Sequence, residues 1–147
     1  MFINGEFVDA ISGNTFEVTN PATGERLGEV PDGDARDAER AVAAADAAFG
    51  DWSQTTAYER ADVLMTAWNL MGERAGELAA LMTAEQGKPL RSSSFEVNYG
   101  ADFIRWFAEE ARRLTGEWIP SARANQRFLS IQAPVCLLYT SPSPRDS

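Results

Sequence analysis

Leu81-Met82-Thr83-Ala84-Glu85-Gln86-Gly87-Lys88-Pro89-Leu90 joins two long helical patterns, and its reading decides how the chain folds. The apolar residues before it recur at three- and four-residue steps through Ala61, Leu64, Met65, Trp68, Met71, Ala75, Leu78 and Met82. Gly87 can turn left-handed and Pro89 cannot continue an upstream helix, so the pair predicts a stop there. Upstream, Gly72 and Gly76 predict a break inside the pattern, and Thr56-Ala57-Tyr58-Glu59 reads as a capping box at its start. Downstream, Ser93-Ser94-Phe95-Glu96 predicts a second capping box. It opens a helix with the face Val97, Gly100, Ala101, Ile104, Phe107, Ala108 and Ala111, ending near Leu114 with Gly116 beyond it.

Further towards the N-terminus, Asp34 is placed to cap a helix carrying Ala38, Ala41, Val42, Ala45, Ala48 and Phe49, with Gly50 as its predicted stop. The first thirty residues read as strands. Asn4-Gly5 between Phe2-Ile3 and Phe7-Val8 is a two-residue hairpin signal, since a type I′ turn needs positive φ at both positions. A second hairpin is predicted from Thr15–Thr19 and Arg26–Val30 around Asn20-Pro21-Ala22-Thr23-Gly24. After Pro120 strand propensity returns over Arg127 to Val135, and residues 137–147 close on a Ser/Pro cluster with no period. Strands, helices and one last strand with nothing after it to pair with do not close a layered architecture. The pattern is that of a mostly helical chain with two β-ribbons that stops in the middle of a larger fold.

Composition excludes several chemistries. Among 147 residues there is no histidine, so imidazole bases, histidine metal sites and Ser-His-Asp relays are absent. Cys136 is the lone cysteine, which leaves no intramolecular disulfide and makes a reducing cytoplasm the expected compartment. A net charge of −9 argues against nucleic acid and anionic membranes. The N-terminus has no basic apolar leader, and no stretch approaches a membrane span.

Neither Gly-x-Gly-x-x-Gly nor Gly-Lys-Ser/Thr occurs, so there is no phosphate loop. Cys136 has apolar neighbours and no base to activate it. Glu109-Glu110 reads as a solvated helix face, and Asp32 and Asp34 as acids at a helix start. Tyr99, Phe103, Trp106 and Phe107 read as core packing, with a ligand-lining role as the alternative. On residues alone, a stand-alone acidic helical interaction module remains open.

Several ordered motifs resemble one family. Asn20-Pro21-Ala22-Thr23-Gly24-Glu25, Leu27-Gly28-Glu29-Val30-Pro31, Ala47-Ala48-Phe49-Gly50-Asp51-Trp52, Arg60-Ala61-Asp62-Val63-Leu64 and the Leu81–Leu90 stretch are similar to the start of NAD(P)-dependent aldehyde dehydrogenases. Phe103–Glu110 and Gly116–Pro120 are most similar to the succinate-semialdehyde dehydrogenase branch, whereas Arg91–Phe95 departs from the Ala/Glu-rich segment expected there. The resemblance implies the α/β class, incomplete without a parallel sheet, with residues 1–126 the N-terminal part of a coenzyme-binding domain and 127–135 the first strand of an oligomerisation arm. Residues 136–147 resemble a translated sequencing adapter and are expected to be a non-native, unstructured tail.

In such enzymes a cysteine thiolate attacks the aldehyde, an asparagine and a backbone amide hold the oxyanion, hydride passes to the nicotinamide, and a glutamate-activated water releases the acid. None of those residues is matched here, so no catalytic or cofactor-binding residue is assigned and Cys136 receives no role. The parent is expected to use NAD or NADP, to take a small aldehyde such as succinate semialdehyde, and to form a homodimer or homotetramer. Residues 1–147 are expected to be inactive and to bind neither cofactor. The resemblance places Gly100 and Phe103 on the substrate tunnel and Glu85 beside a monovalent-cation site. Lys88 is ascribed to the negative end of its helix.

Overall fold

In the computed structural model, residues 1–133 are described. Pro134 to Ser147, including Val135, Cys136 and the expected tail, lie outside them. Strands β1 (Phe2–Ile3) and β2 (Glu6–Phe7) form the first hairpin, with Asn4 at φ 54° and Gly5 at φ 81° as the Asn-Gly turn requires. β3 (Thr15–Thr19) pairs antiparallel with β4 (Arg26–Pro31), with an irregularity between Val18 and Thr19. Four helices follow: α1 (Ala35–Gln54), α2 (Ala57–Glu73), α3 (Ala75–Gln86) and α4 (Leu90–Glu110). The chain then makes a short 3₁₀ turn at Ala111–Arg113.

The Gly87 stop is observed: its φ is 69°, and its N–H donates to the Thr83 carbonyl. A Cβ here would also meet Pro21 at 2.9 Å, so the helix end and the β3–β4 turn touch at a site only glycine fits. The break between Gly72 and Gly76 is also observed, at Arg74. At Thr56 the capping box forms, with the Glu59 amide donating to Thr56 Oγ1 at 3.2 Å and the Thr56 amide to Glu59 Oε2 at 2.7 Å.

Two helix boundaries differ from expectation. α1 runs through Gly50 and stops at Thr55, whose N–H and hydroxyl both donate to the Trp52 carbonyl. A glycine in right-handed conformation weakens a helix by ~1 kcal/mol without ending it. α4 starts at Leu90 rather than at Ser93, behind Pro89 with φ −59° and no side-chain cap. Ser93 lies fully buried inside the helix, where its hydroxyl meets Thr83 Oγ1 at 2.8 Å. Packing against α3 claims this serine before local capping can.

The last strand is shorter than predicted and has a partner. β6 (Phe128–Ser130) pairs with β5 (Glu117–Ile119), a strand the sequence pattern did not reveal. Gly116 permits it: a Cβ there would lie 1.9 Å from the Ser130 carbonyl oxygen. Among the described residues the sheets are three antiparallel two-stranded ribbons. Two-stranded ribbons are marginal alone, so helix packing must supply the order.

α4 packs on α2 and α3. The contact is made by small residues: Ala61 on α2, Ala79 on α3, and Val97, Ala101 and Ala108 on α4 are all buried. Separately, the buried Asp37 carboxylate accepts from the amides of Ile11 and Asp34, both at 3.1 Å, tying the loop after β2 to the first turn of α1. Arg36 donates to Asp34, holding that carboxyl below its ordinary value. No helix among the described residues is long and apolar enough to cross a membrane.

Candidate functional site

α4 has two faces. Ser93, Val97, Ala101 and Ala108 form its buried stripe. On the opposite side Arg91, Phe95, Tyr99, Phe103 and Phe107 make one unbroken row at four-residue spacing, each step rising about 6 Å along the axis. Phe95 and Tyr99 stack, with centroids 6.3 Å apart and planes 9° from parallel, and Tyr99 meets Phe103 edge-to-face at 4.8 Å. Trp106 widens the row.

These aromatics are not core. Tyr99, Phe103, Trp106 and Phe107 remain 48 to 61% exposed, which overturns the core-packing expectation. Their row sits half a turn from the stripe that α2 and α3 cover.

Beside the row lies a groove of about 760 Å³ lined by Arg91, Ser92, Phe95, Glu96, Tyr99, Gly100 and Phe103. Gly100 and Phe103, the two tunnel residues named from the sequence, therefore share one wall. A Cβ at Gly100 would find no atom within 4 Å, so the space beside it is open. Tyr99, given a ligand-lining role as the alternative from sequence, lines it as well, and so does Phe95, which the sequence reading missed although the four-residue aromatic repeat was legible.

Charge in the groove is uneven. Glu96 is paired with Lys88, which reaches it from the loop before α4. Lys88, two residues beyond the end of α3, thus has a carboxylate partner as well. Arg91 takes part in no ion pair among the described residues. Glu85 is exposed near the end of α3, and the described residues contain no group of three His, Cys, Asp or Glu that could hold a metal ion.

A groove walled by one helix cannot enclose a nucleotide, and no phosphate loop accompanies it.

The comparisons with known proteins agree with this architecture. The aldehyde dehydrogenase family profile matches residues 7–139, and the chain belongs to that family. It is 48% identical over 134 residues to the 3-sulfolactaldehyde dehydrogenase of Pseudomonas putida, covering 91% of this chain and 28% of that protein. It is 47% identical over 133 residues to the NADP(+) succinate-semialdehyde dehydrogenase of Escherichia coli K12, covering 90% and 28%. The crystal structure of succinate-semialdehyde dehydrogenase from Burkholderia pseudomallei superposes with a TM-score of 0.84 at 45% identity, over 87% of this chain and 27% of that one. The chain thus spans little more than a quarter of the length of the relatives it matches.

Proposed function

We propose that this chain is the N-terminal part of an NAD(P)+-dependent aldehyde dehydrogenase that oxidises a small aldehyde, succinate semialdehyde, to its carboxylic acid. The observation that carries the reading is the family match across residues 7–139, which includes every helix of the fold. The alternative of a stand-alone acidic interaction module has no comparable support.

In this reading α4 supplies one wall of the substrate passage, with Gly100 and Phe103 on it. The exposed ring row then has a purpose: its second wall belongs to the rest of the enzyme. Aromatic rings there exclude water from the path of the aldehyde and prefer no one chain length. Glu85 stands at the end of α3 as the acidic member of a cation site completed elsewhere. The β5–β6 ribbon is the beginning of an assembly arm for a homodimer or homotetramer, and the location is cytoplasmic. The nicotinamide, when bound, accepts the hydride lost by the aldehyde carbon. The residues that would hold it and attack the carbonyl belong to the part of the relatives' length that this chain does not span.

The test is expression of the complete gene and assay of nicotinamide reduction with succinate semialdehyde and either NAD+ or NADP+. Turnover with one of them, and none from residues 1–147 alone, is expected. A complete enzyme that reduces neither cofactor overturns the proposal.

A further inference from the structure

We propose that Arg112 is a positioning residue that fixes the direction in which the β5–β6 ribbon leaves the helical body, and through it the strength of subunit assembly. The inference rests on the reading of that ribbon as the beginning of an assembly arm, and it goes further by naming the contact that aims it.

Arg112 lies in the 3₁₀ turn Ala111–Arg113 that follows α4. Its side chain reaches back fifty positions in sequence to α2, where Nη2 donates to Asp62 Oδ1 at 3.2 Å. The same guanidinium lies over the Tyr58 ring, 5.0 Å from its centroid. Tyr58 and Asp62 are one helical turn apart on α2, so one side chain engages both. An exposed ion pair alone contributes little, and the cation–π contact adds to it. Arg113, the next residue, pairs with Glu110 one turn earlier, a local contact.

Only Arg113, Leu114, Thr115 and Gly116 separate Arg112 from β5. Among the described residues β5 and β6 pair with each other, and neither packs extensively on a helix. The direction of the ribbon is therefore set where the chain leaves the surface of α2, and Arg112 is the side chain that ties that point down. Trp118, Phe128 and Leu129 leave half or more of their surface exposed on the ribbon, apolar area whose burial in an assembly depends on where the ribbon points. Without the clamp the ribbon samples more directions, and ordering it on association costs more entropy.

The experiment uses the full-length enzyme in urea at the concentration that half dissociates the unaltered assembly, and follows subunit dissociation by light scattering over a dilution series. Arg112→Ala is expected to raise the dissociation constant about threefold to tenfold. Arg112→Lys keeps the charge without the planar fork and should recover part of the loss. Arg113→Ala, on the same turn but paired locally, serves as the control and should leave the constant unchanged. An unaltered constant in Arg112→Ala, or an equal change in Arg113→Ala, overturns the proposal. So does a lowered unfolding midpoint with an unchanged dissociation constant, which marks Arg112 as a stabiliser of the fold alone. An unaltered enzyme that is monomeric without urea instead refutes the assembly-arm reading beneath it.

Discussion

The two faces of α4 are built from the same backbone and put to opposite uses. On one, Ser93, Val97, Ala101 and Ala108 are small and buried, letting the helix approach α2 and α3 closely. On the other, Phe95, Tyr99, Phe103 and Trp106 are large and left in solvent. Hydrophobic area alone would bury the rings and expose the alanines. The reverse arrangement shows that side-chain size here follows the available space: close helix contacts exclude rings, and the free face accommodates them.

The strongest way to break this comparison is to place the same side chain on each face. Ala101→Leu inserts three carbons into a site that is 6% exposed and should cost about 1–3 kcal/mol, because close-packed helices must move apart. Tyr99→Leu, two residues away at a site that is 56% exposed, should stay within about 0.5 kcal/mol. Urea denaturation of residues 1–147 measures both, and equal losses would erase the distinction between the faces.

A smaller effect tests the polar contact within the buried face. Ser93→Ala leaves the Thr83 hydroxyl without its partner and should cost about 1 kcal/mol. Adding Thr83→Val should restore part of that, since no hydroxyl is then stranded. Simple addition of the two losses in the same denaturation series would show that the hydroxyls are not coupled.

The smallest effect concerns α2, the surface on which α4 rests. The Thr56 amide, followed by the Thr56 hydroxyl, hydrogen-bonds at Glu59 and holds its carboxyl below the ordinary 4.5. A carboxyl with a lowered folded value adds stability above pH 4.5 that is lost as pH falls through the lower value. The stability difference between the unaltered chain and Glu59→Gln should therefore be present at neutral pH and shrink on acidification. A difference that does not change with pH would show that the charged cap contributes nothing.

Much of the fold was legible because its signals are local. The Asn4-Gly5 turn, the Thr56–Glu59 box and the Gly87 stop each depend on residues within one turn of chain, and each forms where the pattern puts it. Reading failed where partners distant in sequence compete. Ser93 has the makings of a cap, yet Thr83 on another helix takes its hydroxyl and Pro89 starts the helix earlier. β5 was hidden because three residues carry no period, and its pairing depends on Gly116 admitting β6. Gly100 and Phe103 were named through family likeness, and the groove they share with Phe95 and Tyr99 became visible only once the helix was placed.

The sequence by itself determined the order of ribbons and helices, most of their ends, and the family, because turns, caps and motif order are encoded in neighbouring residues. The tertiary structure decided which face of α4 is buried. The sequence reading put both the Val97–Ala101–Ala108 face and the Tyr99–Phe103 set in the core, and only the first is buried. Only the approach of α2 and α3, with alanines small enough to let them close, selects one stripe and leaves the other to form the groove.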